Sequence, residues 1–121
     1  MESFKFHIID DNPIFLDKAV TYLNSHKAVK SIGWSLSLND FKEKNLNNEF
    51  DFILVDYSMP VQNGIEALKF IKERINSTKV FILSINKENL YKTDAENAGA
   101  DGYICKDNFV DEIEYILKGN S

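Results

Sequence analysis

The chain is predicted to fold as an α/β domain: a doubly wound, five-stranded parallel sheet of order 2-1-3-4-5 with helices on both faces. Three observations predict it. Short apolar runs alternate with helix-length segments along all 121 residues, which implies parallel strands joined by right-handed crossovers. Phe52-Ile53-Leu54-Val55 and Val80-Phe81-Ile82-Leu83 are apolar without alternation, as strands covered on both faces are. Polar residues follow the runs abruptly, and the carboxyl ends of such strands form the crevice where open α/β sheets bind ligands.

The elements follow in order. Phe4 to Ile9 is a first strand, stopped by Asp10-Asp11-Asn12-Pro13. Asn12 can cap a helix and Pro13 suits its first turn. Ile14, Phe15, Ala19, Tyr22 and Leu23 recur at helical spacing. Ser31 to Ser35 is a weak second strand, and Leu38 to Leu46 a short polar helix. Phe52 to Val55 is a third strand, ending at Asp56. A loop, Tyr57-Ser58-Met59-Pro60-Val61-Gln62-Asn63-Gly64, leads to a helix marked by Ile65, Leu68, Ile71 and Ile75. Val80 to Leu83 is a fourth strand with Ser84 at its end. Lys87 to Ala98 reads as a helix closed by Gly99, Gly102 to Cys105 as a fifth strand ending at Lys106. A last helix starts at Asp107-Asn108 and carries Phe109, Ile113, Ile116 and Leu117 on its apolar side.

Residues 1–121 are expected to form one domain, long enough for a single core. Net charge is −5 and the pI about 5.0, so the domain itself has no bulk attraction to nucleic acid or an anionic membrane. No stretch approaches the roughly 20 apolar residues of a membrane span, and Met1 to Lys5 does not read as a signal peptide. A cytoplasmic location is expected. The single cysteine, Cys105, is read as a buried small hydrophobe. His7 is read as a structural histidine within the first strand, and His26 as a solvated one near a helix end.

The order 2-1-3-4-5 brings the first and third strands together, and with them Asp10, Asp11 and Asp56. Clustered carboxylates repel, by about 4 kcal/mol per pair at 4 Å and a surface-like dielectric. A divalent cation and a lysine would offset that repulsion. Mg²⁺ prefers hard oxygens and keeps several waters, so few protein ligands suffice. Asp10, Asp11, Asp56 and the backbone carbonyl of Ser58 are the candidate ligands. Asp56 is the candidate nucleophile, since a carboxylate can attack phosphorus to give an aspartyl phosphate. Lys106, as a compact point charge, and Ser84, as a hydroxyl donor, would contact the phosphoryl oxygens. Taken singly, each has a plainer reading: a strand-ending Asp, a capping Asp-Asp-Asn-Pro, an ordinary lysine or serine. Phosphoryl transfer needs them all at one rim, and each follows its own strand.

These residues resemble the receiver domain of bacterial two-component response regulators from Phe4 to about Leu117. The likeness is carried by the acidic pair, Asp56-Tyr57-Ser58-Met59-Pro60 with Asn63-Gly64, Ser84, and Gly99-Ala100-Asp101-Gly102-Tyr103 leading to Lys106. The resemblance implies a flavodoxin-like fold, phosphorylation of Asp56 by a sensor histidine kinase or phosphotransfer protein, and Mg²⁺ held by Asp10, Asp11 and Asp56. It implies Ser84 and Tyr103 as switch residues and the last strand with its flanking helices as the output face. The Asp-Asn-Pro start, the Gly-Ala-Asp-Gly-Tyr run and Lys106-Asp107 look most like receivers of LuxR-type regulators. That likeness suggests a C-terminal DNA-binding effector domain outside this chain and a homodimer formed on phosphorylation. The domain is expected to act on itself and not to be an enzyme with a free substrate. The rival readings are a Mg²⁺-dependent phosphatase with an aspartyl nucleophile and a receiver-like docking module that is never phosphorylated. Two departures stand out. Ile85 follows Ser84 where the family usually has a smaller residue, which would slow dephosphorylation or labelling by small donors. Asp107 follows Lys106 where many members have proline, so a trans bond is expected there.

Overall fold

The computed structural model describes residues 2–59, 63–75, 77–86 and 88–120. The expected loop residues Pro60, Val61 and Gln62, and Lys87 at the expected start of the fourth helix, lie outside the described residues. The elements run β1 (Phe4–Ile9), α1 (Pro13–Ser25), β2 (Val29–Ser35), α2 (Leu38–Asn45), β3 (Phe52–Asp56) and α3 (Gly64–Arg74). They continue as β4 (Lys79–Ser84), α4 (Asn89–Asn97), β5 (Gly102–Cys105), a 3-10 turn Lys106–Asn108 and α5 (Phe109–Asn120). The five strands form one parallel sheet of order β2-β1-β3-β4-β5, the predicted architecture.

Local chemistry explains the helix starts. The Asn12 side chain accepts from the Ile14 and Phe15 amides at 3.0 and 3.2 Å, with Pro13 opening α1. Ser37 caps α2 through the Asp40 amide at 3.0 Å, and Asn63 caps α3 through Glu66 at 3.0 Å. Such caps satisfy amides the helix cannot pair, each worth about 1 kcal/mol. Gly99 takes φ +100° after α4, a left-handed conformation that favours glycine.

Alternation along the strands divides the interior in two. Phe6, Ile8, Phe52, Leu54, Leu83 and Ile104 pack with α1 and α5 on one face. Ile9, Ile53, Val55, Val80 and Ile82 pack with α2, α3 and α4 on the other. Burying each such side chain contributes about 1.5–3 kcal/mol.

Several boundaries differ from expectation. β2 begins at Val29, because Phe4 recruits it to the ladder through an irregular register step before Lys5. Its exposed edge position hides the onset in a mixed pattern. α2 ends one residue early, at Asn45, and the last α-helix begins at Phe109 after the 3-10 turn. His26 is not solvated: its Nε2 lies 2.7 Å from Glu114 of α5, and its Nδ1 accepts the Ala28 amide at 3.0 Å. Cys105 is half-buried, not fully enclosed. No cis peptide occurs among the described residues.

Candidate functional site

β1 and β3 lie side by side with Ile9 level with Val55, so Asp10 and Asp56 leave the sheet at neighbouring points. Asp10 is held tightly. Its amide donates to the Ser35 carbonyl at 3.0 Å, and its Oδ1 accepts the Asn12 amide at 2.9 Å. Ser35 is fixed in turn by the buried His7, whose Nε2 lies 2.7 Å from the Ser35 hydroxyl. Burial drives the His7 imidazole down to about 4, with Asp40 opposing, so it is neutral at physiological pH. The structural reading of His7 therefore agrees with its surroundings.

On the other side of the rim, the Tyr57 amide donates to Leu83 at 2.8 Å and the Gly64 amide to Tyr57 at 2.9 Å. This doubles the chain back at once. A Cβ on Gly64 would meet the Asp56 carbonyl oxygen at 2.2 Å and Tyr57 Cα at 2.8 Å. Only glycine lets α3 start against the backbone that carries Asp56.

Three of the predicted residues form one cluster: carboxylate oxygens of Asp10, Asp11 and Asp56 lie within 4.8 Å of one another. Asp10 and Asp56 are buried and Asp11 is exposed. The predicted lysine joins them, with Lys106 Nζ 2.8 Å from Asp10 Oδ2 and 3.3 Å from Asp56 Oδ1. The short contact to Asp10 is an ion pair without hydrogen-bond alignment, since Asp10 Oδ2 is buried and takes no hydrogen bond. Burial, then the Asp10 charge, pushes the Asp56 carboxyl up to about 6 despite Lys106 and the Ser58 amide.

The donor set suits a hard divalent cation. It offers carboxylate oxygens only, one of them desolvated and without a hydrogen bond, beside an acid whose ionised form is under-compensated. A cation there would relieve both costs.

The remaining candidates meet nearby. Ser84 is buried at the end of β4, and its hydroxyl accepts the Asn86 amide at 3.0 Å. Tyr103 is half-buried and donates its hydroxyl to the Asn86 carbonyl at 2.7 Å. Ser84 and Tyr103 thus share one loop residue as partner. Ile85 is 70% exposed beside Ser84. Sequence reasoning missed two neighbours. Tyr57 donates to Asp94 of α4 at 2.9 Å, and the Phe15 ring stands 4.5 Å from Lys106 Nζ. An aromatic in the first turn of a helix that begins at the acidic loop was the available signal for Phe15.

Residues 6–118 match the response regulator receiver domain family. The chain belongs to that family. The receiver is 32% identical over 109 residues to the transcriptional regulatory protein LnrK of Bacillus subtilis (strain 168), covering 90% of this chain and 50% of that protein. Among solved structures it is similar in fold to the RcsB response regulator of Salmonella typhimurium. There the TM-score is 0.86 at 21% identity, covering 98% of this chain and 59% of that one. A LuxR-family response regulator from Aurantimonas sp. SI85-9A1 is another neighbour, with TM-score 0.79 at 21% identity over 98% of this chain and 87% of that one. The receiver spans about half the length of curated relatives it matches.

Proposed function

We propose that this receiver accepts a phosphoryl group on Asp56 from the phosphohistidine of a sensor histidine kinase or phosphotransfer protein. An Asp56 carboxylate oxygen attacks phosphorus as the donor's P–N bond breaks, and the imidazole leaves with the bonding pair and takes up a proton. The observation that carries this reading is the single notch shared by Asp10, Asp11, Asp56 and Lys106. Asp10, Asp11, Asp56 and the Ser58 carbonyl would hold Mg²⁺, which when bound neutralises charge on the transferring group. Lys106 orients and neutralises phosphoryl oxygens, and Ser84 donates its hydroxyl to them.

The shared tie to Asn86 supports a switch. Drawing Ser84 toward the phosphoryl group would release Asn86, and the Tyr103 ring would turn inward, shifting the population toward an active output surface. A beryllofluoride-bound structure with an unmoved Tyr103 would reject this step. The receiver is further read as one domain over residues 1–121, cytoplasmic, able to dimerise when phosphorylated and to control a C-terminal DNA-binding domain. It is not an enzyme with a free substrate.

The test is intact mass after treatment with acetyl phosphate and Mg²⁺, for wild type and Asp56→Asn. One phosphoryl adduct, absent from the variant, is expected. No adduct, with a phosphorylated kinase as well as acetyl phosphate, would overturn the proposal in favour of an unphosphorylated docking module. Steady turnover of a phosphate ester would overturn it in favour of a phosphatase.

A further inference from the structure

We infer that Phe15 is a positioning residue for Lys106, its ring face holding the ammonium beside Asp56 by a cation–π contact. The functional consequence rests on the phosphoryl-acceptor reading of Asp56; the contact itself does not. Lysine is a flexible four-carbon stem with a compact charge, and two carboxylates do not enclose it. Lys106 Nζ lies 2.8 Å from Asp10 and 3.3 Å from Asp56, and the Phe15 centroid stands 4.5 Å away. With its side chain only 10% exposed, the ammonium has given up most of its water, the condition in which an aromatic face attracts a cation most strongly.

The ring is itself fixed. Phe109, which is 7% exposed, meets it edge to face at 5.3 Å and 85°, and Tyr22 braces Phe109 at 6.2 Å and 79°. The backbone is fixed as well: the Phe15 amide donates to Asn12, whose own amide donates to Asp10. One short segment therefore sets both the carboxylate and the ring that locate the ammonium. A leucine at this position would fill similar space but offer no negative face. A filler role and a positioning role thus predict different outcomes for Phe15→Leu and Phe15→Tyr.

The test pairs a spectroscopic arm with a rate. In NMR spectra of the 121-residue chain, the Lys106 ε-methylene protons are expected upfield under the ring current in wild type and Phe15→Tyr, and near their ordinary position in Phe15→Leu. Labelling of Asp56 by acetyl phosphate with Mg²⁺ is expected to slow about fivefold in Phe15→Leu and to stay within about twofold of wild type in Phe15→Tyr. Unshifted Lys106 resonances in wild type would overturn the inference. So would a wild-type labelling rate in Phe15→Leu, or equal losses in both variants. If Phe15→Leu does not fold, Phe15→Met takes its place. If wild type takes no label from any donor, the reading of Asp56 fails, and the resonance arm alone decides the contact.

Discussion

Replacing Asp56 by Asn should stabilise the metal-free receiver. Asp56 is 6% exposed, and its carboxyl is pushed from 3.8 to about 6, first by burial and then by Asp10. A raised carboxyl means that the ionised form costs folding free energy. The cost is full above about pH 6, shrinks as the acid protonates, and is gone below the unfolded value near 3.8. A shift of about two units corresponds to about 3 kcal/mol at neutral pH. At a urea dependence of about 1–3 kcal/mol per molar, the midpoint of Asp56→Asn should lie about 1–3 M above wild type in EDTA near pH 7.5. His7 titrates in the same window with the opposite sign. Its imidazole is lowered from 6.5 to about 4, so the stability of its neutral form is full above about pH 6.5 and is lost as pH falls toward 4. That loss is common to both proteins and cancels in their difference. The difference should therefore shrink to near zero at about pH 4. Mg²⁺ should narrow it too, by stabilising wild type more than the variant. Equal midpoints near neutral pH, or a gap unchanged in acid, would refute the electrostatic reasoning.

Other substitutions test the same rim. Lys106→Met leaves Asp10, which is 0% exposed, without its cation and should cost about 3 kcal/mol in urea unfolding. Gly64→Ala forces a Cβ against the Asp56 carbonyl and Tyr57 Cα; a loss of about 2–3 kcal/mol, with slower labelling of Asp56, is expected, and unchanged values would show that α3 shifts freely. Ile85→Ala should leave stability within about 0.5 kcal/mol, since surface positions tolerate change, while shortening the lifetime of the phosphoryl label. An unchanged rate of label loss would reject a shielding role for Ile85.

The sheet and its rim were legible because the strands announce their own ends. Phe52 to Val55 is buried throughout, so only apolar residues fit, and the change to a carboxylate at Asp56 marks where the strand ends at the rim of the sheet. Asn12-Pro13 and Asn63-Gly64 carried cap and turn chemistry that needs no tertiary information. β2 was weaker for a physical reason: an edge strand with one half-exposed face tolerates Lys30, Ser31 and Trp34. The His26 pairing could not be read at all, because its partner Glu114 is 88 positions away and only the packing of α1 against α5 makes them neighbours. The cation–π contact of Phe15 was hidden similarly, since helical spacing marks an aromatic as apolar without saying that a charge will sit on it.

The division of the interior by the sheet has a consequence for signalling. Lys106 touches Phe15, which belongs to the layer of α1 and α5, whereas Tyr103 packs into the layer of α2, α3 and α4. One covalent event at the rim would perturb a contact in each compartment, and the two compartments open onto opposite sides of the molecule. A partner reading one side and a partner reading the other could respond to the same modification without competing for space.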